Sequence, residues 1–339
     1  MQTHRNPYLF MQLIDSFGRT VNYVRLSVTD RCDLRCVYCM AEEMTFLPRN
    51  EVLSIEEFTS LGRAFVDLGV TKLRITGGEP LVRRGTIELL QNLGQLSALK
   101  ELCLTTNGTH LPQYANAIRD AGVKRINISL DSLNPERFRQ LTRFGDLDQV
   151  FAGIKAAQQA GLKIKLNCVA LKHYNADEVP QLVQFALDEG LDISFIEEMP
   201  LGKISEHGRA AEYVSSDELR SQLSRDYRLL AQENSHADAG PSRYWQVDGC
   251  NTRIGFISPH SHNFCGSCNR VRVTATGRLL LCLGNEHSVD LREQLRSEHY
   301  SETALRERII NAMQHKPERH YFDLHNEPQI VRFMNMTGG

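Results

Sequence analysis

Residues 23–39 read Tyr-Val-Arg-Leu-Ser-Val-Thr-Asp-Arg-Cys-Asp-Leu-Arg-Cys-Val-Tyr-Cys, and this stretch decides the fold. Its first part, Tyr23–Val28, is rich in β-forming residues and predicts a strand. Three cysteines follow on the loop after it, Cys32, Cys36 and Cys39, and we call them the first triplet. A [4Fe–4S] cluster normally takes four thiolates, so three leave one iron open to another ligand. A zinc site, the alternative, usually takes four ligands, and no fourth Cys or His stands nearby in the sequence.

From this strand to about Pro200 the chain alternates short β-rich runs with helical stretches. The further predicted strands are Lys72–Thr76, Glu101–Thr105, Arg125–Leu130, Lys163–Val169 and Ile193–Glu197. The helices predicted between them include Ser54–Leu68, Leu111–Ala121 and Asp148–Ala160. Six β/α repeats predict an α/β fold, an incomplete (β/α)6 TIM-type barrel that is short of the complete eight repeats.

Several predicted strands carry polar residues at alternating positions, which lie on one face of the strand. The three sets are Arg25, Ser27 and Thr29; Lys72, Arg74 and Thr76; and Lys163, Lys165 and Asn167. These faces either line the barrel as a polar chamber or point to solvent between helices. We favour the chamber, because parallel strands are usually covered on both faces.

A second triplet lies near the other end of the chain, at Cys265, Cys268 and Cys282. We place Cys282 on the return strand of a hairpin, Arg270–Thr274 and Leu279–Leu283, turned at Thr276-Gly277. Before it, Ala231–Ser242 has the composition of a linker. The spacing of this triplet is compatible with an iron–sulfur cluster and equally with a zinc site. In a zinc site the fourth ligand would be His260 or His262, which gives a Cys3His set, or Cys250.

Composition excludes several classes of protein. The formal net charge of the 339 residues is −2, so no overall field attracts nucleic acid or anionic membrane. The first 19 residues lack the apolar core of a signal peptide, and no apolar run is long enough to span a bilayer. Nine cysteines, six of them in the two triplets, suit metal ligation in a reducing cytoplasm better than disulfides. We expect a cytoplasmic location without nucleic-acid or membrane partners.

The first triplet and the turn Gly77-Gly78-Glu79-Pro80 resemble those of radical S-adenosylmethionine (SAM) enzymes. That resemblance implies that SAM chelates the open iron and that reductive cleavage gives a 5′-deoxyadenosyl radical, with an external electron donor. Gly77 and Gly78 would let the backbone approach the methionyl ammonium, and Glu79 would accept from it. Tyr38, Gly78, Ser129 and Met199 are the candidate SAM contacts, and Thr105 is a further rim residue that could meet the ribose or carboxylate. Apart from Gly78, each of them taken singly is as readily a packing residue.

The second triplet in its setting, Phe264-Cys-Gly-Ser-Cys-Asn-Arg-Val-Arg-Val-Thr, is similar to the molybdenum cofactor biosynthesis protein A family, the GTP 3′,8-cyclases. Further motifs agree, from Ser27-Val28-Thr29-Asp30-Arg31 to the terminal Gly-Gly. The resemblance implies a second [4Fe–4S] cluster on this triplet, with the guanine base at its open iron. It implies these GTP contacts: Arg25, Arg74, Thr105, Lys165, Arg270, Val271 and Arg272. Arginine forks suit phosphate oxygens, although arginines on strands more often face solvent.

The resemblance also implies that the tail, Gly338 and Gly339, enters the active site, where the default for such an end is disorder. It implies a lyase that makes 3′,8-cyclo-7,8-dihydroguanosine triphosphate for a downstream cyclic pyranopterin monophosphate synthase. The expected division is an N-terminal extension at 1–19, a radical SAM core at 20–230 and a C-terminal cluster and GTP domain at 231–339. A homodimer is compatible with the sequence. The alternatives are a peptide-modifying radical SAM enzyme with an auxiliary cluster, and a metal-binding interaction module.

Overall fold

The computed structural model describes residues 12–204, 207–232, 240–324 and 330–338. Within residues 23–197, six strands alternate with helices, as predicted, and each strand is parallel to the next. The strands are β1 (Tyr23–Ser27), β2 (Lys72–Thr76), β3 (Glu101–Thr106), β4 (Arg125–Ser129), β5 (Lys163–Ala170) and β6 (Asp192–Glu197). The helices are α1 (Ile55–Asp67), α2 (Thr86–Gly94), α3 (Leu111–Asp120), α4 (Pro135–Thr142), α5 (Leu147–Gln159) and α6 (Val179–Asp188), with 3-10 turns at Pro80–Val82 and Ala176–Glu178.

The rest of the chain adds strands to both edges of this sheet. Its helices and strands are α7 (Arg209–Glu212), α8 (Ser216–Leu223), β7 (Leu229–Gln232), β8 (Arg243–Val247), β9 (Arg253–Ile257), β10 (Arg270–Val273), β11 (Arg278–Leu280), β12 (Ser288–Asp290), α9 (Arg292–Leu295), α10 (Glu302–Met313) and α11 (Met334–Thr337), with a 3-10 turn at Cys265–Ser267. The sheet order is β12-β11-β10-β1-β2-β3-β4-β5-β6-β9-β8-β7. Both β10 beside β1 and β9 beside β6 are parallel to their neighbours. Eight adjacent parallel strands therefore surround the barrel interior, two of them supplied by the C-terminal part.

The outer faces of the strands pack against helices and exclude water. Val24, Leu26, Leu73 and Ile75 are fully buried on β1 and β2, and α1 contributes Phe58 among the buried residues of that core. Burying one such side chain stabilises the fold by about 1.5–3 kcal/mol. Ser54 followed three residues later by Glu57 is a sequence pattern that predicts a capping box, and these two residues form one at the start of α1. The apolar face of each strand is thus committed to the helices, and the polar face turns inward.

Two local predictions need correction. The hairpin turns where expected, with Gly277 at a positive φ of 83°, but β11 ends at Leu280, so Cys282 follows the strand instead of lying on it. The linker prediction is wrong at both ends, because Ala231 belongs to β7 and Ser242 is buried with its hydroxyl 2.9 Å from that of Ser194. Residues 233–239 of that segment lie outside the described residues.

No helix in the described parts of the chain is long and apolar enough to cross a membrane.

Candidate active site

One cavity at the carboxyl ends of the parallel strands brings the two triplets together. All six cysteines line it. The other predicted site residues that line it are Arg25, Tyr38, Arg74, Gly78, Thr105, Ser129, Lys165, Met199, Arg270, Val271 and Arg272. Six of the nine residues on the predicted polar strand faces line the chamber: Arg25, Lys72, Arg74, Thr76, Lys165 and Asn167. Ser27 and Thr29 are buried outside it, and Lys163, at the start of β5, is exposed. Two parts of the chain more than 200 residues apart meet here because β10 pairs with β1.

The loop of the first triplet is held by the Gly-Gly turn after β2. Gly78 N–H donates to the carbonyl of Thr29 at 2.7 Å, and Glu79 N–H donates to that of Arg31 at 2.8 Å. A Cβ on Gly77 would lie 2.7 Å from the Thr29 oxygen, and one on Gly78 would lie 2.4 Å from the Arg31 oxygen. The glycines are thus required where two backbones meet, in addition to any approach of a ligand.

The Glu79 carboxyl group has a structural role that the sequence did not indicate. It is fully buried and accepts hydrogen bonds from the Leu81 N–H at 2.9 Å, the Thr106 hydroxyl at 2.9 Å and the Asn107 N–H at 2.7 Å. Burial raises its pKa to about 8. These protein donors contact both oxygens, so the side chain ties the end of β2 to the end of β3, and Glu79 is not among the described residues that line the cavity.

The thiols of the first triplet are largely buried, and they would have to lose their protons to bind a metal. Burial raises the pKa of all three, that of Cys39 to about 12. Metal coordination removes such protons, since thiolate is the ligand form. The Leu34 N–H lies 3.4 Å from the sulfur of Cys32 and supplies a donor to it. Soft thiolates of this kind select iron–sulfur clusters or zinc over hard cations.

Tyr38 is fixed by a carboxylate for which the sequence suggested no role. Its hydroxyl donates to Asp131 Oδ2 at 2.7 Å, and Asp131 Oδ1 accepts from the Val169 N–H at 2.8 Å. Burial raises the pKa of Asp131 to about 6. The ring of Tyr38 is held between the first triplet and the end of β4. Asp131 follows the end of β4, in the run Ser129-Leu130-Asp131. A polar residue at that position is the sequence signal from which its role could have been predicted.

Three arginines form a row across the barrel interior, and we call Arg272, Arg25 and Arg74 the arginine row. Arg25 pairs in register with Arg272 on one side and with Arg74 on the other. Arg74 donates to the Tyr23 hydroxyl at 2.6 Å and to the Thr105 hydroxyl at 3.1 Å. Burial, and then repulsion among the cations, lowers the pKa of Arg25 and of Arg272. Such a row is a site for an anion of high charge.

Further cations surround this row. Lys165 donates to the Tyr244 hydroxyl at 3.0 Å, and the Arg270 guanidinium lies 5.1 Å from the centre of the Phe264 ring. The lysines and arginines that line the cavity are Arg25, Lys72, Arg74, Arg125, Lys165, Arg270 and Arg272, against the acids Asp131, Glu197 and Glu198. A chain that is slightly acidic overall therefore concentrates positive charge at this cavity.

The second triplet has a positively charged neighbour that the sequence did not indicate. Lys316 is 2% exposed, and its ammonium donates to the Leu281 carbonyl at 2.9 Å and lies 3.6 Å from the Cys268 sulfur. Burial alone would raise the pKa of Cys268, but the charges of Arg270 and Lys316 outweigh burial and lower it to about 7. The Cys268 thiolate therefore forms at a lower pH than that of an ordinary cysteine.

The two histidines considered as a fourth zinc ligand make hydrogen bonds to other groups. His260 Nε2 lies 2.8 Å from the Glu198 carbonyl oxygen, and His262 Nε2 lies 3.1 Å from the Asp217 carboxylate. Neither ring, nor Cys250, is among the described residues that line the cavity. The three thiols of the second triplet and the His320 ring, whose centroid lies 4.3 Å from that of Phe322, line the cavity at this end.

The tail closes over the first triplet. In α11, Met334 N–H donates to the Cys39 carbonyl at 3.2 Å and the Asn335 amide donates to the Asp30 carbonyl at 2.8 Å. The Arg272 guanidinium donates to the Gly338 carbonyl. Gly338 has a φ of 77°, and a Cβ there would lie 2.3 Å from the Thr76 methyl group. Gly338 thus packs against the cavity wall, and Gly339 lies outside the described residues.

Comparison with known proteins agrees with this geometry. Residues 26–186 match the radical SAM superfamily, and residues 191–322 match the family described as Molybdenum Cofactor Synthesis C. The solved structure of Streptococcus suis SuiB bound to S-adenosylmethionine has a TM-score of 0.59 at 14% identity, over 93% of this chain and 79% of SuiB. At that identity the likeness shows the fold alone. The fold and the first triplet together are those of a radical SAM enzyme.

Full-length relatives make the assignment narrower. The GTP 3′,8-cyclase of Saccharophagus degradans is 62% identical over 328 residues, 96% of this chain and 98% of that protein. The GTP 3′,8-cyclase of Pseudomonas entomophila is 58% identical over 337 residues, 99% of each chain. This chain therefore belongs to the GTP 3′,8-cyclase family. Its cofactors are SAM and two [4Fe–4S] clusters, and the two sets of three cavity-facing thiols fit those clusters.

Proposed function

We propose that this protein converts GTP to (8S)-3′,8-cyclo-7,8-dihydroguanosine 5′-triphosphate, the first step of molybdenum cofactor biosynthesis. The observation that carries the proposal is that two thiol triplets face one cavity whose walls hold a row of buried arginines. A radical source, a metal-bound substrate and a polyphosphate site are then brought together in one chamber. Identity above 55% to GTP 3′,8-cyclases over nearly the whole chain supports the same activity.

In this proposal the first triplet holds the cluster that binds SAM. Tyr38, Gly78, Ser129 and Met199 surround the cofactor at the rim of the barrel. The Tyr38 ring is kept in place by its hydrogen bond to Asp131, and Gly78 lets the turn after β2 approach the backbone of the first-triplet loop. When bound, the cluster and SAM would supply the radical chemistry that removes a hydrogen atom from the ribose C3′ of GTP. Placing that carbon is the task of the rest of the cavity.

GTP would lie with its phosphates against the arginine row and its base towards the second triplet. Arg270 and Lys165 add charge beside the row, Thr105 adds a hydroxyl, and Val271 contributes its backbone. Two of these strands, β1 and β10, come from opposite ends of the chain, so the phosphate site forms only when the C-terminal part has docked. Planar guanidinium groups give paired hydrogen bonds to phosphate oxygens, which favours arginine here.

The tail would shield the reacting atoms from water. Asn335 is 1% exposed and Thr337 is fully buried. The Arg272 guanidinium donates a hydrogen bond to the Gly338 carbonyl. A bound phosphate and the tail would therefore both contact this guanidinium. A radical intermediate needs such exclusion of solvent to avoid side reactions.

The remaining assignments rest on the family relation. We propose the division into an extension at 1–19, a radical SAM core at 20–230 and a cluster and GTP domain at 231–339. We further propose an external electron donor, a downstream cyclic pyranopterin monophosphate synthase, a cytoplasmic location and a homodimer. A peptide-modifying enzyme would share the fold, as SuiB does, but it gives no reason for a buried arginine row.

The test is nucleotide-dependent SAM cleavage by anaerobically reconstituted enzyme. Two [4Fe–4S] clusters correspond to about eight irons per chain. We expect reduced enzyme to form 5′-deoxyadenosine together with a cyclised product when GTP is present, and to form no such product with ATP. Four or fewer irons per chain, or equal turnover with GTP and ATP, would contradict the proposal.

A further inference from the structure

Asn127 on β4 holds an unused hydrogen-bond acceptor deep in the cavity. The residue lines the cavity and is 7% exposed. Its amide nitrogen lies 3.5 Å from Asn167 Oδ1, at the limit of a hydrogen bond. Its Oδ1 atom has no hydrogen-bond partner among the described residues. A buried acceptor left in this way costs about 1–3 kcal/mol, which indicates that a ligand completes it.

The position of Asn127 indicates which part of a ligand it meets. It pairs in register with Thr105 on β3 and with Lys165 on β5. Along β4 it lies between Arg125, at the start of the strand, and Ser129, at the rim. All of these residues line the cavity. Asn127 is therefore midway between the level of the arginine row and the rim where SAM would bind.

We propose that Asn127 Oδ1 accepts a hydrogen bond from a ribose hydroxyl of GTP and orients the sugar for hydrogen abstraction. The inference rests on the proposed function. The ribose of GTP is joined to the phosphates, which would lie in the arginine row, and it carries the carbon that would face SAM. Its hydroxyls can donate to an amide oxygen, whereas phosphate oxygens only accept.

The guanine N–H groups are the other donors of GTP, and the sheet places them elsewhere. The second triplet flanks β10, which is four strands away from β4 in the sheet order. A base directed to that triplet lies across the cavity from Asn127. The ribose, between base and phosphates, remains as the donor within reach. Asn127 acts as a positioning residue, because fixing the sugar fixes which hydrogen faces the radical.

The test is equilibrium binding to reconstituted, unreduced holoenzyme, so that no turnover occurs. The ligands are GTP, 2′-deoxy-GTP, 3′-deoxy-GTP and inosine triphosphate, which lacks the 2-amino group. We expect wild-type enzyme to bind one of the two deoxy analogues about three- to tenfold more weakly than GTP, the range of one net hydrogen bond. Asn127→Ala should weaken GTP binding by the same factor and leave that analogue unaffected.

Two further variants and SAM binding complete the test. Asn127→Asp keeps an acceptor oxygen and should keep the preference for the hydroxyl. Asn92→Ala removes a half-buried amide on α2, outside the cavity-lining set, and should change no affinity. SAM affinity and iron content should be unchanged in Asn127→Ala, which a general structural defect would alter.

Several results would overturn the inference. Equal weakening of GTP and both deoxy analogues in Asn127→Ala would show a merely structural role. If Asn127→Ala weakens the binding of GTP and both deoxy analogues but not that of inosine triphosphate, Asn127 contacts the base. If the substitution lowers only the affinity for SAM, Asn127 contacts the cofactor. If GTP does not bind wild-type enzyme, the proposed function fails and the inference fails with it. If GTP binds and discrimination is unchanged by the substitution, the inference alone fails.

Discussion

Arg25 on β1 lies directly opposite Arg272 on β10, across the parallel ladder that joins the two ends of the chain. Like charges in such positions destabilise a sheet, and burial with mutual repulsion lowers the pKa of both groups. The fold therefore carries an electrostatic cost at the seam where its N-terminal and C-terminal parts meet. A polyphosphate that binds there would neutralise these charges and relieve the repulsion, which would strengthen its binding.

Replacing Arg25 by Met should separate stability from binding. Without nucleotide we expect the variant to unfold at or above the wild-type temperature, because a buried like charge is removed. GTP at 100 times its dissociation constant adds about 2.7 kcal/mol to wild-type stability. At the same GTP concentration the variant should gain far less. Thermal unfolding with GTP, and with guanosine as the uncharged control, checks this; equal stabilisation by guanosine would contradict it.

Gly338→Ala should impair turnover through a steric clash. The added Cβ would lie 2.3 Å from the Thr76 methyl group, at a φ of 77°. Gly161→Ala is the matched control, since Gly161 has a φ of 76° and open space around it. Both variants carry left-handed strain of about 1–2 kcal/mol, but only Gly338→Ala displaces the tail from Arg272. Steady-state product formation should fall for Gly338→Ala alone, and similar losses in the two variants would exclude a role for the tail.

Tyr23 should titrate near neutral pH. Burial by itself raises its pKa, but Arg25 and Arg74 outweigh burial and lower the pKa to about 7 from 10.0. Between about pH 7 and pH 10.0 the Tyr23 hydroxyl is ionised in the folded protein and protonated in the unfolded chain. The unfolded state therefore binds more protons in this range, and the contribution of Tyr23 to the free energy of unfolding rises with pH. Tyrosinate absorbance of wild type minus Tyr23→Phe should therefore develop around pH 7. Bound GTP should shift that titration upwards, because phosphate opposes the tyrosinate. A difference signal that develops only near pH 10 would refute the expectation.

Lys316→Met should lower the reduction potential of the C-terminal cluster. The ammonium lies 3.6 Å from the Cys268 sulfur and stabilises the more negative, reduced cluster. Such outer contacts tune iron–sulfur potentials. We expect a shift of tens of millivolts, since a one-electron couple moves about 59 mV per tenfold change in equilibrium. Lys316→Arg should retain the wild-type value. An electron paramagnetic resonance redox titration that shows no shift, or equal shifts in both clusters, would be inconsistent with this contact.

Local patterns were sufficient to predict the barrel. The predicted Lys72–Thr76 strand matches β2 to the residue, and the capping box at Ser54 fixed the start of α1. Parity along β2 also predicted that Lys72, Arg74 and Thr76 line the cavity, because the interior of a barrel alternates with its exterior. Both signals act over a few residues, which is the range that a single sequence reveals.

Long-range contacts were not predictable in this way. Nothing local indicates that β9 and β10 extend the sheet at opposite edges, since each is a short run without a β/α repeat around it. The Lys316 contact spans 48 positions and the Tyr38 contact spans 93. The hydrogen bonds of Glu79 to Thr106 on β3 and to Asn107 on the following loop could not be predicted from the motif, because they join separate strands. Side chains that hold functional residues in place emerge only once the strands are assembled.

The most direct test of two clusters acting on one nucleotide is the fate of the ribose hydrogen. Reduced holoenzyme is supplied with SAM and GTP deuterated at C3′, and the 5′-deoxyadenosine formed is analysed by mass spectrometry. We expect one deuterium in 5′-deoxyadenosine, together with a cyclised triphosphate product. Unlabelled 5′-deoxyadenosine formed alongside that product would contradict hydrogen abstraction at C3′, and with it the placement of GTP between the two triplets.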